Sequence, residues 1–278
     1  MDLVAKPASN YPVAELVDVL NRGFENYFIP IRFTTSTFSN MLRKDGIDLS
    51  ASRVLLADQI PCGIALIAPR GARRISRLAA MGIAKETRGK GAGSWFMKEI
   101  LADACGRGDR EMVLEVIEQN EPAVKLYQNH GFETVRRLVG FICQGDEAQE
   151  SETSQLQEID LGEINRLIAQ HGLPDLPWQL SGESIMQMNP PAHVYRDGQA
   201  YIAISNPEAE HVAIWSLLVA PEARGNGLGT RLLEQVLMTW AGKTWHVPAL
   251  CPEEFQRVFE KAGFQKESLS QWQMRSIL

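Results

Sequence analysis

Two glycine-rich runs carry the clearest chemistry in the chain, Arg88-Gly89-Lys90-Gly91-Ala92-Gly93 and Arg224-Gly225-Asn226-Gly227-Leu228-Gly229. Each follows an apolar, strand-like run and precedes an amphipathic, helix-like one. A glycine-rich turn from strand into helix leaves backbone N–H groups facing outward at the positive end of the helix, which is an arrangement for holding phosphate. Glycine suits it because side chains would block close backbone approach and disfavour positive φ. A second signal is Glu115, a carboxylate inside the apolar run Met112-Val113-Leu114-Glu115-Val116-Ile117. Burying a carboxylate is costly unless it is paired or used. Glu115 is therefore a candidate base, with a structural role satisfied by neighbouring donors or solvent as the equal alternative. His130 is a rival titratable group, but its place after a helix reads as a surface cap. The four cysteines (Cys62, Cys105, Cys143, Cys251) are scattered, without metal-ligand spacing. They read as reduced structural thiols, and no metal is expected.

The same order of elements must position both loops. A short strand (Leu3 to Lys6; Leu156 to Ile159) precedes an amphipathic helix (Val13 to Leu20; Gly162 to Ala169) and a less regular helical region (Thr35 to Arg43; Gly182 to Met188). Antiparallel strands follow, turning at Asp58-Gln59 in the first half and Asp197-Gly198 in the second. A further strand feeds each loop (Arg77 to Ala84; His211 to Val219), and apolar faces mark the helices beyond, with Phe96, Ile100 and Ala104 in the first and Leu232, Leu233, Val236 and Leu237 in the second. A buried strand, a short helix ending at Gly131-Phe132 or Gly263-Phe264, and a final strand close each half. The expected fold class is α+β, a mixed and mostly antiparallel sheet flanked by helices, built twice in tandem. The polar, acidic stretch Cys143 to Ser154 reads as the linker, which places the domains at 1–145 and 155–278.

A length of 278 residues suits two units of roughly 130 to 140 residues each. With 45% hydrophobic and 22% charged residues, the composition is that of a soluble globular protein. The N-terminus does not read as a signal peptide, and no apolar run reaches membrane-spanning length. A cytoplasmic protein without a membrane partner is expected. Through residue 145 there are 19 basic and 16 acidic residues, a net of +3, leaving 9 and 18 beyond, a net of −9. So acidic a second half argues against nucleic acid as a partner. Basic residues near the first loop (Arg70, Arg73, Arg74, Arg77, Lys85, Arg88, Lys90) fit either a small polyanion or a solvated surface.

A dinucleotide-binding G-x-G-x-x-G is not met, since Ser94 stands where its third glycine belongs, and neither copy supplies G-x-x-x-x-G-K-[ST]. Both loops instead resemble the acyl-CoA pyrophosphate loop of the GCN5-related N-acetyltransferases, [RQ]-x-x-G-x-[GA] between a strand and a helix. In the first half Asn120-Glu121-Pro122-Ala123-Val124-Lys125-Leu126-Tyr127, followed by Gly131-Phe132, is similar to that family's second signature. The resemblance implies an acetyl-CoA-dependent N-acetyltransferase in which an amine attacks the thioester directly. It places the cofactor's pyrophosphate on Arg88, Gly89, Lys90, Gly91, Ala92, Gly93 and Ser94. The pantetheine arm would lie along Met81-Gly82-Ile83, with Asn120 contacting it and Tyr127 protonating the leaving thiolate. Leu114-Glu115-Val116 resembles the ribosomal-protein alanine acetyltransferases, whose proposed catalytic glutamate falls on Glu115. The implied acceptor is a small-molecule amine or a protein N-terminus. Its contacts would come from the segment Phe24 to Arg43, where Tyr27 and Phe28 open an aromatic run that could equally be core.

The second half departs from that pattern. Counting back from Gly263-Phe264 puts Phe259 in the tyrosine's slot and Pro252 in the asparagine's. Phenylalanine has no proton to give, so a degenerate, supporting domain is expected there, and Cys251 reads as structural. Each half shows one clear strand after its Gly-Phe where the family usually has two, which leaves a missing or exchanged final strand open. The alternative function is a non-catalytic acyl-CoA-binding or sensing protein.

Overall fold

The structure, a computed structural model, describes residues 1–145 and 156–278. Beyond Gly145, the expected linker lies outside the described residues. Two compact units emerge, one formed by Met1–Val135 with Trp272–Leu278 and the other by Arg136–Gln271.

The first unit opens with β1 (Leu3–Pro7), α1 (Val13–Gly23) and α2 (Thr35–Asp45). Thr34 caps α2 through a reciprocal bond pair with Thr37, and Gly46 ends it in the left-handed region. β2 (Arg53–Ala57) and β3 (Ile60–Arg70) form the expected hairpin, with Asp58 and Gln59 both at positive φ. β4 (Ile75–Ile83), α3 (Ala92–Arg107), β5 (Glu111–Ile117) and α4 (Glu121–Gln128) complete the core of the unit. Side chains alternate across the sheet, so both faces are covered. Ala65 and Ile67 of β3 face Phe96 and Ile100 of α3, while Ile64 and Leu66 face Leu16, Leu20 and Phe38 of α1 and α2.

Two irregularities shape this sheet. Leu66 pairs with Ala80 and Ile67 with Leu78, which leaves Ala79 as a bulge in β4. The parallel ladder between β4 and β5 holds Ile75–Glu111, Ser76–Met112 and Arg77–Val113 and then stops, although β4 runs on to Ile83 and β5 to Ile117. Beyond Arg77–Val113 the two strands run on without pairing to each other.

The second unit repeats the plan with β7 (Gln157–Ile159), α5 (Leu161–His171), α6 (Gly182–Met186), β8 (His193–Asp197), β9 (Ala200–Ile204), β10 (His211–Val219), α7 (Leu228–Thr239), β11 (Thr244–Pro252) and α8 (Gln256–Lys261). Trp215 is its bulge, and its parallel ladder stops at Ala213–His246. The α+β class and the twofold repetition are as expected from the sequence.

The final strands are exchanged. β6 (Glu133–Gln144) leaves the first unit at its third residue and pairs antiparallel with β11, from Thr244–Gln144 to Pro252–Leu138. There Phe141 stacks on Phe259 with ring centroids 5.2 Å apart. β12 (Gln265–Ile277) starts in the second unit and ends in the first. Met274 is fully buried in the first unit's core, and the Leu278 N–H donates to the Arg110 carbonyl at 3.0 Å.

Candidate functional site

The first glycine loop joins the end of β4 to α3. Gly89 and Gly91 hold φ of 74° and 81°, and Gly225 and Gly227 of the second loop hold 81° and 77°. A Cβ at any of the four meets nothing within 4 Å. Backbone conformation, not crowding, therefore demands glycine here. The loop stays open on its outer side, with Gly89, Lys90 and Gly91 exposed. Ala92, Gly93 and Ser94 form the first turn of α3, where backbone N–H groups lack intrahelical partners.

The shared arginine of the two loops is a brace. Arg88 donates from Nε to the Ile83 carbonyl at 2.7 Å and from a terminal nitrogen to the Gly23 carbonyl at 2.8 Å. Arg224 does the same to Val219 (3.0 Å) and His171 (2.7 Å). Each guanidinium thus ties the loop to the end of one strand and one helix. Its presence in both copies was the available signal for that role.

Asn120 caps α4 by accepting from the Ala123 N–H. Burial raises the pKa of Tyr27, and the neighbouring Asn120 side chain partly offsets that rise. Tyr127 is the penultimate residue of α4, buried, with its ring edge-on to Phe132 at 5.8 Å. Burial, and secondarily the neighbouring Tyr27, hold its hydroxyl far above the ordinary tyrosine range, so it stays protonated. His130 holds α4 to α3, with Nδ1 2.8 Å from the Leu126 carbonyl and Nε2 3.1 Å from both the hydroxyl and the carbonyl oxygen of Ser94.

Glu115 points to the other face of β5. Its Oε2 lies 2.8 Å from Nε of Arg77, whose Nη1 lies 3.4 Å from Asp45 of α2; the Arg77 and Glu115 side chains are only 5% and 2% exposed. Burial works against the charged guanidinium, and Glu115 and Asp45 more than offset it, leaving the Arg77 pKa raised. The cluster sits at Arg77, the last residue of β4 that pairs with β5. The structure thus seats α4 against the start of α3, through His130 on Ser94 and Leu126 near Gly93, and commits Glu115 to an ion pair with Arg77.

The second unit's cleft is a cavity of about 600 Å³. Its wall includes the glycine loop, the bulged Trp215, Cys251 and Phe259. Burial pushes the Cys251 thiol up to about 12, which keeps it from acting as a thiolate near neutral pH. On the first unit a groove of about 920 Å³ runs along α1 and the segment after it, with Glu15, Asp18, Glu25 and Tyr27 in its wall. Among the described residues no helix is long and apolar enough to cross a membrane.

The acetyltransferase (GNAT) family model matches residues 16–132, and an acetyltransferase (GNAT) domain model matches residues 192–266. No curated protein matches the chain. Among solved structures, the GCN5-related N-acetyltransferase from Sphaerobacter thermophilus aligns with a TM-score of 0.66 at 15% identity, over 99% of this chain and 95% of that one. A tandem GNAT protein from the clavulanic acid biosynthesis pathway gives 0.64 at 14% identity, over 99% and 98% of the two chains. The GCN5-related N-acetyltransferase from Kribbella flavida gives 0.63 at 15%, over 100% and 71%. Identities this low speak for the fold alone. The family models, the repeated loop and the repeated sheet together establish that this chain belongs to the GNAT acetyltransferase family and carries two of its domains in tandem.

Proposed function

We propose that the first domain is an acetyl-CoA-dependent N-acetyltransferase acting on a primary amine, with Tyr127 as the acid. The observation that carries this reading is the placement of Asn120 and Tyr127 on one short helix beside the Arg88–Ser94 loop. The residues fit the cofactor's chemistry. Outward N–H groups at the start of α3 suit a pyrophosphate, and the end of β4 beyond its ladder with β5 offers backbone groups to an amide-bearing arm. Bound there, acetyl-CoA supplies the thioester. A neutral amine forms a C–N bond to its carbonyl carbon, the C–S bond breaks, and the thiolate takes the proton of Tyr127. The amine's surplus proton restores the tyrosine. A raised Tyr127 pKa keeps the donor loaded at neutral pH.

Glu115 enters this reading as the partner of Arg77 and not as the base, because its carboxylate is buried in an ion pair on the opposite face of β5 from Tyr127. The groove along α1, where Glu15, Asp18 and Glu25 outnumber Arg22 and Arg32, supports an acceptor that approaches as an ammonium ion, whether a small amine or a protein N-terminus.

The open cavity of the second domain supports a second site for acyl-CoA, bound without turnover. Phe259 offers no proton there, and Pro252 offers no amide. The test is thiol release across a panel of amines, combined with calorimetric stoichiometry. Tyr127→Phe should reduce turnover about 100-fold, the scale of a lost general acid, and leave binding intact. Gly89→Asp with Gly91→Asp should abolish turnover, whereas Gly225→Asp with Gly227→Asp should remove one binding equivalent and leave turnover. Unchanged release by Tyr127→Phe would remove the tyrosine from the mechanism. No release with any amine, despite binding, would leave the sensing alternative.

A further inference from the structure

Beyond Ala213–His246, β10 and β11 run on without pairing to each other. Both strands wall the cavity of about 600 Å³ past that point, from Ile214 to Val219 and at Val247, Pro248 and Cys251. That volume lies in the range of roughly 300–1,000 Å³ that encloses a whole drug-sized molecule. Its apolar lining comes from two cores. Leu217, Leu228, Val258 and Phe259 belong to the one packed with α7 and α8. Ile168, Leu176 and Trp215 belong to the one packed with α5 and α6, and Leu173 and Leu180 extend it. Among the described residues no carboxylate lines this cavity, and its fixed charges are all positive: Arg224, with Arg257 and Lys261 one turn apart on α8. An anionic head and a long apolar tail are the chemistry that such a wall accommodates.

The first unit differs at the matching positions. Arg88 braces Gly23 and Ile83 while Arg224 braces His171 and Val219, so His171 answers to Gly23 and Leu218 to Gly82. A Cβ built on Gly23 would stand 2.8 Å from the Gly82 Cα, so α1 ends against β4 at a distance that glycine alone permits. His171 and Leu218 bring side chains to both positions, and both line the cavity. The segment after His171, with Leu173, Leu176 and Leu180, answers to the one after Gly23, from which the acceptor's contacts are expected in the first unit. The groove there carries Glu15, Asp18 and Glu25, which suit an ammonium ion. The second unit offers leucine instead.

We infer that the second cavity binds an acyl-CoA whose chain is longer than acetyl, with the chain against Leu173, Leu176, Leu180 and Trp215, where a catalytic domain would seat its acceptor. The inference rests on the reading that the second glycine loop takes acyl-CoA without turnover. The loop, Arg257 and Lys261 meet the ligand's phosphates, and the apolar wall meets its chain. A chain in that position fills the acceptor's place and keeps amines from the thioester, which agrees with Phe259 standing where a proton donor would be needed.

The test is calorimetric titration of CoA, acetyl-CoA, butyryl-CoA and octanoyl-CoA into the full chain carrying Gly89→Asp and Gly91→Asp, so that the second loop is left to bind. Each buried methylene strengthens binding about fourfold. Butyryl-CoA should therefore bind about 15-fold more tightly than acetyl-CoA, and octanoyl-CoA more tightly again. Leu173 is half-buried and belongs to neither core, so Leu173→Glu sets a carboxylate in the wall at little risk to the fold. It should flatten the series and leave CoA itself bound as before, and an unaltered series in that variant overturns the placement of the chain. Equal constants for the three acyl-CoAs overturn the chain site and leave the reading of the second loop standing. Octanoate bound as tightly as octanoyl-CoA would make the ligand a free fatty acid and overturn the inference too. No binding of CoA or any acyl-CoA in this background would overturn the reading of the second loop, and the chain site with it.

Discussion

Arg77 and Glu115 show how a buried charge is read two ways. From sequence, a lone carboxylate in an apolar strand is equally a base or a structural group. The structure supplies the missing fact, a guanidinium 2.8 Å away contributed by a strand thirty-odd residues earlier. Replacing Arg77 with Met would strip Glu115 and Asp45 of that guanidinium in a dry environment, at a cost of about 3–5 kcal/mol. Glu115→Gln keeps the shape and a hydrogen bond, and should cost less. Denaturant unfolding of both variants checks the order, and the pH profile of kcat/KM for Glu115→Gln should keep its shape. A lost acidic limb in that profile would return Glu115 to the role of base. The sequence could not place this pair, because ion pairing across parallel strands depends on register. Asn120 and Tyr127 were legible for the opposite reason: both sit on one short helix, where spacing alone fixes their relation.

At the scale of elements, the turns were legible and the interruptions were not. Asp58-Gln59 and Asp197-Gly198 are local signals for tight hairpins, and both form. The bulges at Ala79 and Trp215, and the early end of each parallel ladder, depend on neighbouring strands and leave no pattern of residue types. Yet Trp215 lines the cavity of the second unit. The seating of α4 against α3 is another such relation, since His130 bonds Leu126 on its own helix and Ser94 at the start of the other. His130→Ala should cost about 2 kcal/mol through two lost hydrogen bonds. It should raise the KM for acetyl-CoA by loosening the turn that carries Ser94, with kcat nearly unchanged. Thermal melts and initial rates measure both. A collapse of kcat with normal KM would mean that His130 does chemistry.

Over the whole molecule, chain order and compact units do not coincide. Similar halves suggested ranges of 1–145 and 155–278, and one question stayed open because each half showed a single strand after its Gly-Phe. The answer is that β6 completes the second unit and β12 completes the first. Sequence could not decide this, since a strand of alternating burial fits any sheet edge of matching pattern. The consequence for stability is definite. Met274 is fully buried among first-unit residues, with Trp272 and Leu278 packed on the same core. Removing one such side chain costs about 2–5 kcal/mol, and removing the strand also bares an edge beside β5. A chain ending at Gln271 should therefore lose the cooperative unfolding of the first unit and its acetyl-CoA binding at the Arg88–Ser94 loop. Met274→Ala in the full chain should fall between truncation and wild type, with a lowered midpoint and binding retained. Residues 1–145 expressed alone should behave like the truncated chain. A wild-type melting profile for either shortened form would mean that β12 decorates the first unit without completing it.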